Sequence, residues 1–148
     1  MRTDQVAPTP PKLRQRSVTF TLRGFSARPE QVAARLGVEA QGLGSAGQVR
    51  RPGQSPLKRS YALWRVSLPP SAPVYSMIPA VIAHMGGEQG IVRLLLDVAP
   101  EFVEVDLLLP VKDSEEQEGG FISKEDLACL ARLGASLSFS FTSRFETE

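Results

Sequence analysis

Three separated stretches of this 148-residue chain carry an apolar side chain at every second position. In Ser17–Leu22, Val18, Phe20 and Leu22 take one parity and Ser17, Thr19 and Thr21 the other. In Ser60–Leu68, one parity carries Ala62, Trp64, Val66 and Leu68. Near the C-terminus Leu137, Phe139 and Phe141 alternate with Ser138, Ser140 and Thr142 in a last strand read as continuing to Phe145. Period-two alternation marks a strand with one buried face. The chain must therefore build a sheet and cover one side of it, and the segments between the strands have to supply the cover.

Those segments carry helix signals. Pro29 suits a first helical turn, Val32, Ala33 and Leu36 form an apolar stripe, and Gly37 supplies a left-handed cap. Val74, Ile78, Val81, Ile82 and Met85 repeat at helical spacing and stop at Gly86-Gly87. Pro79 inside that run implies a kink or a late helix start. Ser123 with Asp126 resembles a capping box, with Leu127, Leu130 and Ala131 as the buried side of a third helix ending at Gly134. Ile91–Ala99 and Phe102–Val111 read as two further strands joined around Pro100 as a hairpin, with Val92, Leu94, Leu96 and Val98 inward on the first. The second of these turns Val103, Val105, Leu107 and Leu109 inward. The expected order is β-α-β-α-β-β-α-β. That is a single α+β domain with a mixed or antiparallel five-stranded sheet and three helices, a ferredoxin-like core from the second strand onward and an N-terminal βα addition. Residues 1–16, with three prolines, read as a flexible extension, and residues 17–145 as the domain. Gln41–Arg59 and Lys112–Gly120 read as surface loops.

Composition excludes several function classes. One cysteine, Cys129, rules out an internal disulfide framework and any cysteine-based zinc site within the chain, and His84 is the single histidine. The N-terminal charges have no apolar run behind them, so no secretory signal is read, and no stretch approaches the roughly 18 apolar residues needed to span a bilayer. The cytoplasm is the expected compartment, and no membrane partner or cofactor is expected.

Certain residues carry a family likeness. A strand ending in Gly24-Phe25 precedes Arg28-Pro29-Glu30-Gln31-Val32 and Arg35-Leu36-Gly37-Val38, followed by a glycine-containing loop and the Ala62-Leu63-Trp64 strand. A helix ending Ala131-Arg132-Leu133-Gly134-Ala135 leads into a Ser/Phe strand. This pattern resembles the bacterial family catalogued as domain of unknown function 4279, over roughly residues 17–145. The family's usual proline after the Leu-Gly-aliphatic cap is replaced by Glu39-Ala40. The resemblance implies architecture and bacterial origin, and it brings no catalytic or binding residues with it.

The residues themselves offer few constellations for chemistry. Gly42-Leu43-Gly44-Ser45-Ala46-Gly47 fits G-x-G-x-x-G, but it follows a helix and enters a basic loop, whereas a phosphate cradle needs a strand before it and a helix N-terminus after it. Residues 1–65 carry a net +9 and residues 66–148 a net −8. Arg50, Arg51, Lys58 and Arg59 cluster in one loop and are the candidates for an anion-binding site, for nucleic acid or a phosphate ligand. The favoured alternative is that basic and acidic halves interleave in one sheet. Glu104 and Asp106 could approach a cation, but cross-strand pairing with Arg65 and Arg93 is favoured. His84 reads as a helix-end residue, Cys129 as a buried thiol, and acidic Lys112–Gly120 lacks calcium-loop spacing. The wet sheet face offers few aromatics for base stacking, which disfavours RNA.

Tyr61, Leu63, Leu95 and Leu108 have outward parity and are the candidates for protein contact. The expectation is a non-catalytic, protein-binding module of bacterial origin, an immunity-type or accessory factor, that contacts another protein or itself. No catalytic or metal-ligating residue is assigned. The alternative is nucleic-acid or phosphate binding through loop 41–59.

Overall fold

The computed structural model describes residues 10–113 and 119–146. In chain order the elements are β1 (Arg16–Arg23), α1 (Pro29–Leu36), β2 (Gly42–Gly44), β3 (Tyr61–Leu68), a 3-10 turn (Val74–Ser76), α2 (Met77–His84), α3 (Glu88–Val98), β4 (Phe102–Leu109), α4 (Lys124–Arg132) and β5 (Ala135–Phe141). The five strands form one sheet in the order β2-β3-β1-β4-β5. β1 pairs antiparallel with both β3 and β4, β2 pairs antiparallel with β3, and β4 and β5 run parallel. The architecture is thus α+β with a mixed five-stranded sheet and four helices.

The expected parities of β1 and β3 hold through most of their length. Phe20 stands opposite Trp64 on one side and Val105 on the other, and all three are fully buried. Val18 and Leu22 extend this inner row, and Met77, Ile78, Val81 and Met85 of α2 and its C-cap press down on it. Val32 of α1, Leu94 of α3 and Leu130 of α4 belong to the same cluster, so all four helices lie on one face. The indole N–H of Trp64 donates to the Val38 carbonyl at 3.0 Å, fastening the exit of α1 to β3.

Local signals set the helix ends. α1 begins at Pro29 and closes on Gly37 at φ 77, where only a residue without a Cβ is unstrained. Pro79 sits in the first turn of α2, where its missing N–H removes no helical bond, so the helix starts late at Met77 rather than kinking. Asp126 N–H donates to Ser123 Oγ at 3.1 Å as the cap of α4.

Three expectations require correction. Ile91–Ala99 is not a strand but lies in α3, so there is no hairpin at Pro100. The run is apolar at nearly every position and therefore fits both periods. Burial of Ile91, Leu94 and Val98 follows helical spacing, and Ala99, left-handed at φ 48, caps the helix by donating its N–H to the Leu95 carbonyl. The fifth strand is instead β2, two glycines and a leucine with no strand propensity. It exists because β3 recruits it: a Cβ at Gly44 would run into the Tyr61 ring.

With one member turned into a helix, the β-α-β-β-α-β set behind the ferredoxin-like expectation is not present. The strand read as an N-terminal addition is the centre of the sheet. Finally, α4 is rotated from its expected setting: Cys129, Leu130 and Leu133 are buried, whereas Leu127 is 49% exposed.

At Pro110 the chain of β4 turns away, and the flanks of β1 and β5 close across the gap. Leu13 bridges Phe145, Arg14 N–H donates to the Arg144 carbonyl at 2.9 Å, and Glu146 N–H to the Lys12 carbonyl at 2.9 Å. The expected extension thus begins pairing by Lys12, and its residues 1–9 lie outside the described residues. Among the described residues no helix is long and apolar enough to cross a membrane.

Because Phe20 is enclosed by two strands and α2, no neighbour can collapse into its space. We expect Phe20→Ala to lower unfolding free energy by about 3–5 kcal/mol in urea titration.

Candidate functional site

The sheet face opposite the helices is a lattice of cross-strand rows. Arg65, Thr19, Asp106 and Ser138 form one row, and Leu63, Thr21, Glu104 and Ser136 the next. Neither carboxylate stands free. Glu104 accepts from Arg23 Nε at 2.9 Å, and Asp106 accepts from Ser138 Oγ at 2.7 Å and Ser140 Oγ at 3.1 Å. The expected partners differ because Arg93 lies on α3, and the parallel neighbour β5 brings serines to Asp106. Arg65 is engaged through its backbone, its N–H donating to Gln41 Oε1 at 2.6 Å. Among the described residues no group of three or more His, Cys, Asp or Glu is placed to hold a metal ion.

The four outward apolar candidates do not form one strip. Leu63 and Leu108 are half-buried and line a shallow groove of about 410 Å³ with Arg14, Thr19, Arg65 and Asp106. Leu95 lies on α3, packed against the core. Tyr61 is 9% exposed, its ring against Gly42 and Gly44 and roofed by the Arg50 guanidinium 4.7 Å from its centre.

The basic loop is likewise divided. Lys58 and Arg59 line a polar cleft of about 400 Å³ with Ser26, Ala46 and Glu101, and Arg59 Nε binds Glu101 at 3.2 Å while its guanidinium sits 5.1 Å from the Phe102 ring. Arg50 is on Tyr61, and Arg51 is exposed on the loop. Arg23–Glu104, Arg59–Glu101 and Lys12–Glu146 each join a cation of the basic half to an anion of the acidic half. The halves interleave in the sheet. In the glycine motif, Gly42 and Gly44 are in β2 and Gly47 turns at φ 87, with no helix following to receive an anion.

His84 is exposed as the last residue of α2. Cys129 is buried, and desolvation, then the nearby Glu88 charge, pushes its thiol pKa up. Arg132 grips Glu88 with two bonds, 2.6 Å and 3.0 Å, which join the start of α3 to the end of α4 and hold the Glu88 carboxyl below its ordinary value. Glu115, Glu116 and Glu118 of the acidic loop lie outside the described residues; Asp113 accepts from Ser143 Oγ at 2.6 Å.

The most distinctive surface is one that period and parity did not single out. Tyr75 and Phe121 stack with ring centres 5.1 Å apart and are 50% and 61% exposed. Phe139 and Phe141 lie parallel, 6.5 Å apart, and are 46% and 61% exposed. Two adjoining clefts, one of about 560 Å³ beside Tyr75 and Phe121 and one of about 260 Å³ beside Phe139 and Phe141, share Arg16, Val74, Gly119 and Gly120 as a common wall. A Cβ on Gly120 would meet Val74 Cγ2 at 2.6 Å, so the chain after the acidic loop can lie close on Val74 only as glycine. Phe139 and Phe141 keep the expected inward parity, but β5 is the sheet edge and they protrude past the cover. Tyr75 and Phe121 follow proline and glycine turn signals and have no periodic partners. Only the fold makes them neighbours.

Residues 12–143 match the family model described as Domain of unknown function (DUF4279). The chain belongs to this family. The DUF4279 match takes in every strand and helix described above, together with the first arm of the terminal clasp. No curated protein and no solved structure matches the chain.

Two consequences can be measured. The folded Glu88 pKa is depressed below the usual 4.5, so its stabilisation is complete above that value and lost as pH falls through the lowered one. The stability gap between wild type and Glu88→Gln should be flat from neutral pH down to the ordinary carboxylate range and narrow below it, as followed by urea titration across pH. Cys129, protonated and buried, should react with iodoacetamide far more slowly in the native protein than in denaturant at mildly alkaline pH, as read by mass spectrometry.

Proposed function

We propose that the protein is a non-catalytic protein-binding module whose docking surface is the two adjoining clefts rimmed by Tyr75–Phe121 and Phe139–Phe141. The observation that carries this reading is the pairing of four exposed aromatic rings, two on each of two adjoining clefts that share Val74, with Leu109 and Val111 lining the second. Aromatic side chains give large contact area for little lost rotamer freedom, and contiguous exposed apolar surface marks interaction sites. The residues that could have supported acid–base or nucleophilic chemistry are engaged elsewhere: Glu104 by Arg23, Asp106 by two serines, and Cys129 as a buried neutral thiol. In this reading the module works in a bacterial cytoplasm as an immunity-type or accessory factor, and Leu63 and Leu108 are secondary to the clefts.

The basic loop supports nucleic-acid or phosphate binding less well, because Arg50 and Arg59 already sit against Tyr61, Glu101 and Phe102.

Affinity purification from the native host, with wild type and Tyr75→Lys/Phe121→Lys as baits, decides between them. A protein retained by wild type should be reduced at least tenfold by the double variant, since central interface aromatics typically contribute ~2 kcal/mol or more each. Recovery unaffected by the double variant, or material that is nucleic acid released by moderate salt, overturns the proposal.

A further inference from the structure

β5 is an open edge. Thr142 directs both of its backbone groups at β4 and its continuation, its N–H donating to the Leu109 carbonyl at 3.2 Å and its carbonyl accepting from Lys112 N–H at 3.1 Å. Backbone groups alternate sides along a strand, so Ser136, Ser138 and Ser140 face β4 while Leu137, Phe139 and Phe141 point their N–H and C=O groups outward. Among the described residues no strand pairs with that side. Exposed edges are usually protected by charge, proline, a bulge or shortness. This one is seven residues long, and no charged residue or proline occurs between Arg132 and Arg144.

We infer that the occupant of this edge is β5 of a second copy, paired antiparallel about a two-fold axis at Phe139. The strand is complementary to itself in that register. Phe139 meets its symmetry mate, Leu137 meets the mate's Phe141, and on the wet face Ser138 meets the mate's Ser140. Every outward backbone donor from Leu137 to Phe141 gains an acceptor: the Phe139–Phe139 and Leu137–Phe141 pairs each exchange two hydrogen bonds, and the Ser138–Ser140 pair between them exchanges none. No charge is placed opposite a like charge, because the strand carries none. The two sheets join into one continuous sheet through an isologous contact, the kind that closes rather than propagates. The half-exposed rings of Phe139 and Phe141 become inner members of a doubled edge. This deepens the protein-binding reading by naming one partner, and it leaves the Tyr75–Phe121 pair for a different one.

The test combines oligomeric state with register. Light scattering coupled to size exclusion and sedimentation equilibrium should show a concentration-dependent dimer of wild type. Phe139→Lys, which sets two ammonium groups face to face on the axis, should be monomeric at every concentration used, and Tyr75→Lys/Phe121→Lys should remain dimeric.

Independently, in a Cys129→Ser background, Phe139→Cys should form an intermolecular disulfide under mild oxidation. Hydrogen-bonded antiparallel partners have Cα atoms about 5.5 Å apart, within the roughly 4.4–6.8 Å a disulfide spans. Leu137→Cys should not, because four residues of offset separate its two copies by about 14 Å. Should Phe139→Lys fail to fold, the disulfide pair still decides the register. A strictly monomeric wild type, a dimer that survives Phe139→Lys, or equal cross-linking at both positions overturns the inference. A monomer that still retains a host protein through Tyr75 and Phe121 overturns it while leaving the broader proposal standing.

Discussion

The structure depends on the burial of one strand from both sides. β1 is the hub: β3 and β4 run antiparallel along its two edges, and Val18, Phe20 and Leu22 are wholly removed from solvent. Each of these side chains touches a neighbour on either flank and α2 above. Burying such residues stabilises by about 1.5–3 kcal/mol each, and a central strand also satisfies every backbone group. The outer strands depend on this arrangement. β2 joins the sheet only through β3, which pairs with β1, and β5 joins it through β4, with its C-terminal flank paired to the flank of β1.

Moving outward from that hub, cover diminishes. Trp64 and Val105 are still fully buried, whereas Phe139 and Phe141 on β5 keep the inward parity but are roughly half exposed. The same gradient accounts for the polar face. Near the centre, Ser17 and Thr21 are nearly buried by neighbouring side chains, and towards β5 a single carboxylate, Asp106, collects two serine hydroxyls and laces the parallel pair together. Charge follows the fold as well: Arg23, Arg59 and Lys12 of the first half meet Glu104, Glu101 and Glu146 of the second, so part of a pronounced asymmetry in sequence is paired off in space. The uncovered aromatic surface is Tyr75, Phe121, Phe139 and Phe141.

Much of the architecture could be read directly. The alternating stretches are strands, Pro29 and Gly37 bound a helix, and Ser123 caps another, because each of these depends on interactions within a few residues. The run from Ile91 to Val98 could not be assigned in the same way: apolar at almost every step, it satisfies two periods at once, and only packing on α1 and the sheet selects the helix. β2 was invisible because its glycines express no preference of their own; the Tyr61 ring decides where they lie. The surface candidates fared unevenly for a related reason. Parity locates Leu63 and Leu108 on the wet face but cannot show that a loop arginine covers Tyr61, and it placed Leu95 on a strand that does not exist.

The chain alone therefore determined which segments alternate, where α1 and α4 start and stop, and that a one-sided sheet had to result, since these follow from backbone dihedral preferences and side-chain period. Tertiary structure alone decided which strand is central, which edge stays open, and that Tyr75 and Phe121 line a cleft adjoining that of Phe139 and Phe141. Those are outcomes of contact between residues tens of positions apart, and no local preference encodes the distance between two side chains that meet only once the sheet has closed.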